Sequence, residues 1–201
     1  VFGAWNDHDL LNDDATYYGV SGAVSLPISH AWGIQFDATT MITDGDFSGT
    51  FGTHLFWRDP SQGLIGGYAA YTSDNSNDTS SWRIAAEAEG YFDRVTVAGL
   101  AGWESIDLPS PFSDEDNFFG IAKLNYYIND DFVAGVGVRR EGDANFFTAS
   151  AEYQFTSHEG RGISAFAEGR FGEDDARFIV GGLKMYFGSD KSLISRHRED
   201  D

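Results

Sequence analysis

Cysteine is absent from the 201 residues, so neither a disulfide framework nor a thiolate metal site is available. Proline is scarce, at 4, which leaves long uninterrupted backbone ladders possible. Cations are few. Lys and Arg total 13 against 32 Asp and Glu, and the resulting charge of -19 argues against nucleic acid as a partner, because a phosphate backbone would be repelled. No run of about 18 apolar residues occurs, so no stretch reads as a transmembrane helix. No charged region followed by an apolar run stands at the start either, and any secretory leader is expected to have been removed.

Glycine is plentiful at 24 and aromatics reach 15%, a composition that suits long strands joined by tight turns. The mean hydropathy of -0.32 resembles that of a soluble protein. A transmembrane barrel gives the same value, because it hides its apolar residues by alternation. Alternation is what the chain shows. Ile163, Ala165, Ala167, Gly169 and Phe171 interleave with Ser164, Phe166, Glu168 and Arg170, and Phe147, Ala149, Ala151, Tyr153 and Phe155 interleave with Thr148, Ser150, Glu152 and Gln154. Period two means strands. Eleven such runs fall at about 16–28, 31–43, 48–58, 63–73, 81–92, 94–105, 117–128, 131–141, 145–156, 161–172 and 176–187.

The connections alternate as well. "PISHA", "RDPSQG", "FDR", "INDD" and "SHEGRG" are tight, whereas links such as "SDNSNDTS" and "SIDLPSPFSDEDN" are longer. Short turns on one rim and variable loops on the other predict an all-β, antiparallel, up-and-down transmembrane barrel in a bacterial outer membrane. With the short turns in the periplasm, the run at 16–28 descends, so "VFGAW" at 1–5 reads as the end of an ascending strand cut short at Val1. That makes twelve strands, or ten if two weak runs are misread. Residues 1–187 form the barrel on this reading, and 188–201 a periplasmic C-terminal tail, with disorder the default for such a segment.

In the last run, "RFIVGGLKMYFG", residues Gly182, Met185 and Phe187 resemble the carboxy-terminal strand signal by which Gram-negative outer-membrane barrels are recognised for assembly. Together with "HLFWRDPSQGLIGGY" and "DKSLISRHREDD", they make the chain similar to an uncharacterised porin-like group of such barrels. The resemblance implies the fold, the outer-membrane location and the barrel assembly machinery as a partner. Two departures stand out: Val180 replaces an often polar residue, and 14 residues follow Phe187.

Parity then sorts the side chains. Trp82, Ile84, Ala86, Ala88, Phe92, Val95, Val97, Ala101 and Trp103 are expected to face lipid, with the aromatics at strand ends forming a girdle. Asp37, His54, Arg58, Arg83, Glu87, Glu89, Glu104, Lys123, Arg139, Glu152, Glu168, Arg170 and Lys184 are expected to line the lumen, six acids facing six bases. Glu87 and Glu89 lie side by side on one strand, whereas a glycosidase pair converges from opposite sides of its substrate. They read as a salt-bridged wall. His54 is the one histidine within a run and has Asp37, Ser21 and Ser25 on neighbouring runs, so a bond to Asp37 is expected rather than a nucleophile-activating pair. His8 in "NDHD" has no second histidine at metal-ligand spacing. Gly135 and Gly137 lack a phosphate-loop context and read as relief of crowding inside the barrel. No enzyme activity and no cofactor are expected.

The negative charge collects on the longer loops: Asp7, Asp9, Asp13, Asp14, Asp44, Asp46, Asp74, Asp78, Asp107, Asp114, Glu115, Asp116, Glu141, Asp143, Glu173, Asp174 and Asp175. Divalent cations prefer carboxylate oxygen and could bridge this rim to outer-leaflet lipids and lipopolysaccharide. Three function classes stay open. They are a narrow porin-like channel for small solutes or ions, a plugged structural or interaction barrel acting through its acidic loops or tail, and an outer-membrane hydrolase. Oligomerisation and a periplasmic partner are left open.

Overall fold

The computed structural model describes residues 1–7, 15–43, 45–75, 78–173 and 176–200, and each alternating run within them is a strand. In chain order these are β1 (Phe2–Asp7), β2 (Ala15–Pro27), β3 (Trp32–Thr43), β4 (Asp46–Asp59), β5 (Gly63–Asp74), β6 (Thr79–Phe92), β7 (Val95–Asp107), β8 (Glu115–Asn129), β9 (Phe132–Glu141), β10 (Ala144–His158), β11 (Arg161–Gly172) and β12 (Arg177–Phe187), followed by helix α1 (Leu193–Glu199). Each strand pairs antiparallel with its sequence neighbours, and β1 pairs with β12, Phe2 opposite Gly182, to close the barrel. Closure is the requirement lipid imposes, because an open edge would leave backbone groups without partners in hydrocarbon. A 12-residue strand such as β3 is about 40 Å long, enough to cross an apolar band of about 25 Å at a tilt of about 40°.

The outer surface carries the apolar parity, and its aromatics gather in two belts. Toward the end with the longer loops, Tyr71 packs on Trp82 at 4.7 Å and Trp103 meets Phe118 edge-on at 5.5 Å. Toward the short-turn end, Phe132 meets Tyr153 at 5.9 Å, with Phe92 and Phe187 exposed at the same end. An outward-facing apolar wall between aromatic belts is the surface of a protein dissolved in a bilayer. No helix among the described residues is long and apolar enough to cross a membrane, so the crossing is made by strands.

Turn chemistry sets the short rim. Glu159 and Gly160 form the whole link between β10 and β11, with φ of 53° and 72°. Both central residues in the left-handed region make the tight hairpin whose twist matches the strands. The opposite rim is more uneven than the sequence suggests: residues 108–114 separate β7 from β8, yet Gly142 and Asp143 alone separate β9 from β10. Inside, a Cβ on Gly135 would stand 2.8 Å from Ser150 Oγ, and one on Gly137 would stand 2.8 Å from Thr148 Oγ1. These two glycines leave room for inward side chains of β10.

The larger departure from expectation is the C-terminal segment. It is not a disordered tail: after Gly188 the chain turns inward and forms α1 against the short-turn end of the barrel. Ser192 is its N-cap, and Arg196, His197 and Arg198 occupy its last turn, where cations suit the helix dipole.

Candidate functional site in the barrel interior

Because strand side chains alternate, every second residue of each strand projects inward, and closure brings strands far apart in sequence face to face. The interior is polar and densely cross-linked. Nearer the longer loops, Arg83 and Glu104, directly opposed on β6 and β7, form an ion pair, and the Arg83 guanidinium lies 5.2 Å over the Phe119 ring. Arg139 Nε approaches Glu141 Oε1 at 3.5 Å, and Arg170 donates to Glu168 at 2.9 Å while lying 3.9 Å from Glu141 and 4.8 Å over Phe178. Glu141, placed by sequence on a loop, ends β9 and serves two lumen arginines. Nε and Nη1 of Arg139 make no hydrogen bond among the described residues.

At mid-barrel His54 sits between two carboxylates. Its Nε2 is 2.8 Å from Asp37 Oδ2 and its Nδ1 is 2.7 Å from Glu87 Oε2, with the Tyr68 ring 4.7 Å away. Gln35 donates to Asp37 at 3.0 Å, and Ser25 donates to Gln35 at 2.6 Å. Ser21 bonds Thr39. Neither ring nitrogen faces a hydroxyl, so the constellation that serine chemistry needs is not assembled here. Lys123 reaches across the lumen to Glu168 at 2.7 Å.

Toward the short turns, Glu152 accepts from Ser164 at 2.6 Å, Lys184 at 2.5 Å and Tyr186 at 2.7 Å. Tyr91 donates to Glu89 at 2.8 Å, and Arg58 lies 4.4 Å over the Phe56 ring. Two cavities open between these networks. One, of about 260 Å³, touches His54, Arg58 and Glu87, and the other, of about 430 Å³, touches Glu152, Arg170 and Lys184; both reach Glu89 and Lys123.

The residues that sequence reasoning missed belong to α1 and its socket. Arg196, fully buried, donates from Nε to Gln154 Oε1 at 2.8 Å and from Nη2 to the Ser189 carbonyl at 2.8 Å, with its guanidinium 5.2 Å over Tyr186. Gln154 is held by its other end, Nε2 donating to Asp131 at 2.9 Å and to the Lys191 carbonyl at 3.0 Å. His197 lies between the hydroxyls of Tyr127 at 3.0 Å and Tyr186 at 3.3 Å, and 3.6 Å from Glu152. Arg198 donates to the carbonyls of Asp93 at 2.8 Å and Val95 at 3.1 Å, over the rings of Tyr91 and Tyr127. Burial by itself would lower the Lys191 ammonium, but hydrogen bonds to Asp200 and Glu199 outweigh it and hold Lys191 above the ordinary lysine range. The assembly-signal residues lie apart from this site: Gly182 faces inward opposite Phe2, while Met185 and Phe187 project outward. His8, Asp9, Asp13, Asp14, Asp44, Asp174 and Asp175 lie outside the described residues.

The closed twelve-strand antiparallel barrel, apolar outside and charged within, has the architecture of an outer-membrane β-barrel. Comparison with solved structures agrees on the fold. The chain is similar to a KdgM porin in complex with disordered oligogalacturonate, with a TM-score of 0.64 and 11% identity over 92% of this chain and 96% of that one. It is also similar to a second KdgM porin structure, with a TM-score of 0.60 and 10% identity over the same shares. A chain from work on the in-meso crystallization of membrane proteins aligns with a TM-score of 0.59 and 13% identity, over 98% of this chain and 93% of that one. No protein-family model and no curated protein matches the chain.

Proposed function

We propose that the protein is a narrow outer-membrane channel for small solutes or ions, with its short-turn end and C-terminal segment in the periplasm. The observation that carries this reading is the interior itself. Two cavities meet at Glu89 and Lys123: the larger has a mainly polar wall with Glu152, Glu168, Arg170 and Lys184 in it, and the smaller sets His54, Arg58 and Glu87 into a mainly apolar one, where a purely structural barrel could fill with apolar packing. The inward positions Asp37, His54, Arg58, Arg83, Glu87, Glu89, Glu104, Lys123, Arg139, Glu152, Glu168, Arg170 and Lys184 serve as the lining. The similar KdgM porin is described with oligogalacturonate, a polyanion. Here Glu104, Glu141, Glu152 and Glu168 each pair with interior cations, and the long-loop rim carries Asp114, Glu115 and Asp116. Small cations and uncharged solutes fit that field better than a polyanion does.

The test is selectivity in planar bilayers. Arg139 has one long contact to Glu141, so Arg139→Glu should leave the barrel folded and shift the reversal potential toward cation preference. An unchanged reversal potential in a conducting variant would remove Arg139 from the conduction path, and a folded barrel that conducts nothing with or without its C-terminal segment would overturn the channel. The docked helix favours a second reading, a plugged barrel that acts through its acidic loops or its C-terminal segment, and that last outcome would select it.

A further inference from the structure

We propose that α1 is a displaceable plug that closes the short-turn mouth of the lumen. This inference rests on the channel reading only for what passes once the mouth is open; closure itself stands on geometry. The helix reaches across the mouth. At one side Arg196 is anchored to Gln154 on β10 and over Tyr186 on β12, and at the other Arg198 holds the carbonyls of Asp93 and Val95 at the turn between β6 and β7. Between these anchors Ile194 N–H donates to the Asp130 carbonyl at 3.0 Å, Leu193 N–H donates to Asp131 at 3.1 Å, and the Leu193 side chain is fully buried against Tyr127 and Val133. His197 then forms part of the wall of the larger cavity. Beside the helix, Phe56, Arg58 and Leu64 are buried on β4 and β5 and line the smaller cavity, and Tyr91 lies under Arg198.

The socket has the chemistry of a reversible contact. Its groups face the lumen, so departure of α1 exposes Gln154, Tyr127, Tyr186 and Glu152 to water and exposes nothing to lipid. Water can hydrogen-bond each polar group that the helix releases, and the apolar grip is small, Leu193 with Ile194 against Tyr127, Val133 and Tyr186. The strand ladder does not depend on the helix either, because β1 pairs with β12 and closes the barrel without it. A segment whose removal breaks no strand pairing, and whose presence fills a mouth with cations, is built as a plug.

The experiment compares the full chain with a variant lacking residues 189–201 and with Asp130→Cys/Ile194→Cys, whose bridge is the sole disulfide because the chain has no cysteine. Folding of each is checked by heat-modifiable migration, and Arg196→Gln/Arg198→Ala, which keeps full length, serves if the deletion fails to assemble. Conductance is recorded in planar bilayers, and Asn125→Cys, on the wall of the larger cavity, reports access to a charged thiosulfonate added from the short-turn side. We expect deletion to raise single-channel conductance and the labelling rate by about tenfold or more, the oxidised lock to abolish openings, and reduction to restore wild-type behaviour. Equal conductance and equal labelling in a folded full chain and deletion variant would overturn the plug while leaving the channel standing. Faster labelling without conductance in either would uphold the plug and overturn the channel.

Discussion

At the scale of single residues, the lumen charges are not equivalent. Glu104 is almost completely buried and depends on Arg83, its direct cross-strand partner, whereas Arg139 has only the 3.5 Å approach to Glu141 and stands near the like charges of Arg83 and Arg170. Removing one member of a buried pair leaves the other charge without compensation, at a cost of about 3 to 5 kcal/mol. Removing Arg139 leaves Glu141 still beside Arg170 and takes away two buried nitrogens that make no hydrogen bond among the described residues, so it strands no uncompensated charge and costs less. Arg83→Met should therefore lower the denaturant midpoint of the detergent-folded barrel substantially, and Arg139→Met should leave it nearly unchanged. Equal losses for the two would mean that interior water, and not cross-strand pairing, carries the stability of Glu104.

At the scale of elements, β12 and α1 are adjacent in sequence and opposite in role. β12 closes the barrel, and Phe187 ends it as an exposed lipid-side aromatic. α1 is a seven-residue helix, well under the length at which an isolated helix holds in water, so its order comes from the socket that Tyr127, Gln154 and Tyr186 provide. Phe187→Ala is expected to reduce the yield of assembled barrel in the outer membrane, while deletion of residues 190–201 is expected to leave that yield close to wild type. Quantitative heat-modifiability of membrane fractions reads both. A deletion that assembles worse than Phe187→Ala would make the helix part of barrel biogenesis.

At the scale of the whole molecule, the distribution of charge divides the barrel. Acidic side chains such as Asp114, Glu115 and Asp116 crowd the long-loop rim, interior carboxylates such as Glu104, Glu152 and Glu168 are paired with cations, and the cations of Arg196 and Arg198 stand at the short-turn mouth. Hard divalent ions bind carboxylate oxygens, so calcium should raise the thermal midpoint of the protein in lipopolysaccharide-containing membranes. Changing Asp114, Glu115 and Asp116 together to their amides should shrink that calcium increment and leave folding intact, because solvated charges contribute little one by one. The same increment in both proteins would make these residues solubility features alone.

The barrel was legible in the residue order because its causes are local. Period-two alternation fixes strand and facing together, so Arg83, Glu87 and Glu104 could be placed inside and Trp82 and Trp103 outside before any coordinate, and the bond expected between His54 and Asp37 needed only one register step. Composition likewise excluded disulfides, thiolate metals and membrane helices. What lay beyond reach depends on closure. Glu87 completes the His54 bridge from two strands away, Lys123 meets Glu168 across the lumen, and Glu141 turns from loop acid to arginine partner. Helix α1 was hidden for a further reason. Its signals, Ser192 at the cap and cations in the last turn, are ordinary, and seven residues cannot hold themselves in a helix. Only a mouth assembled from β6, β8, β10 and β12, whose residues lie up to about a hundred positions away, supplies the polar groups that order it.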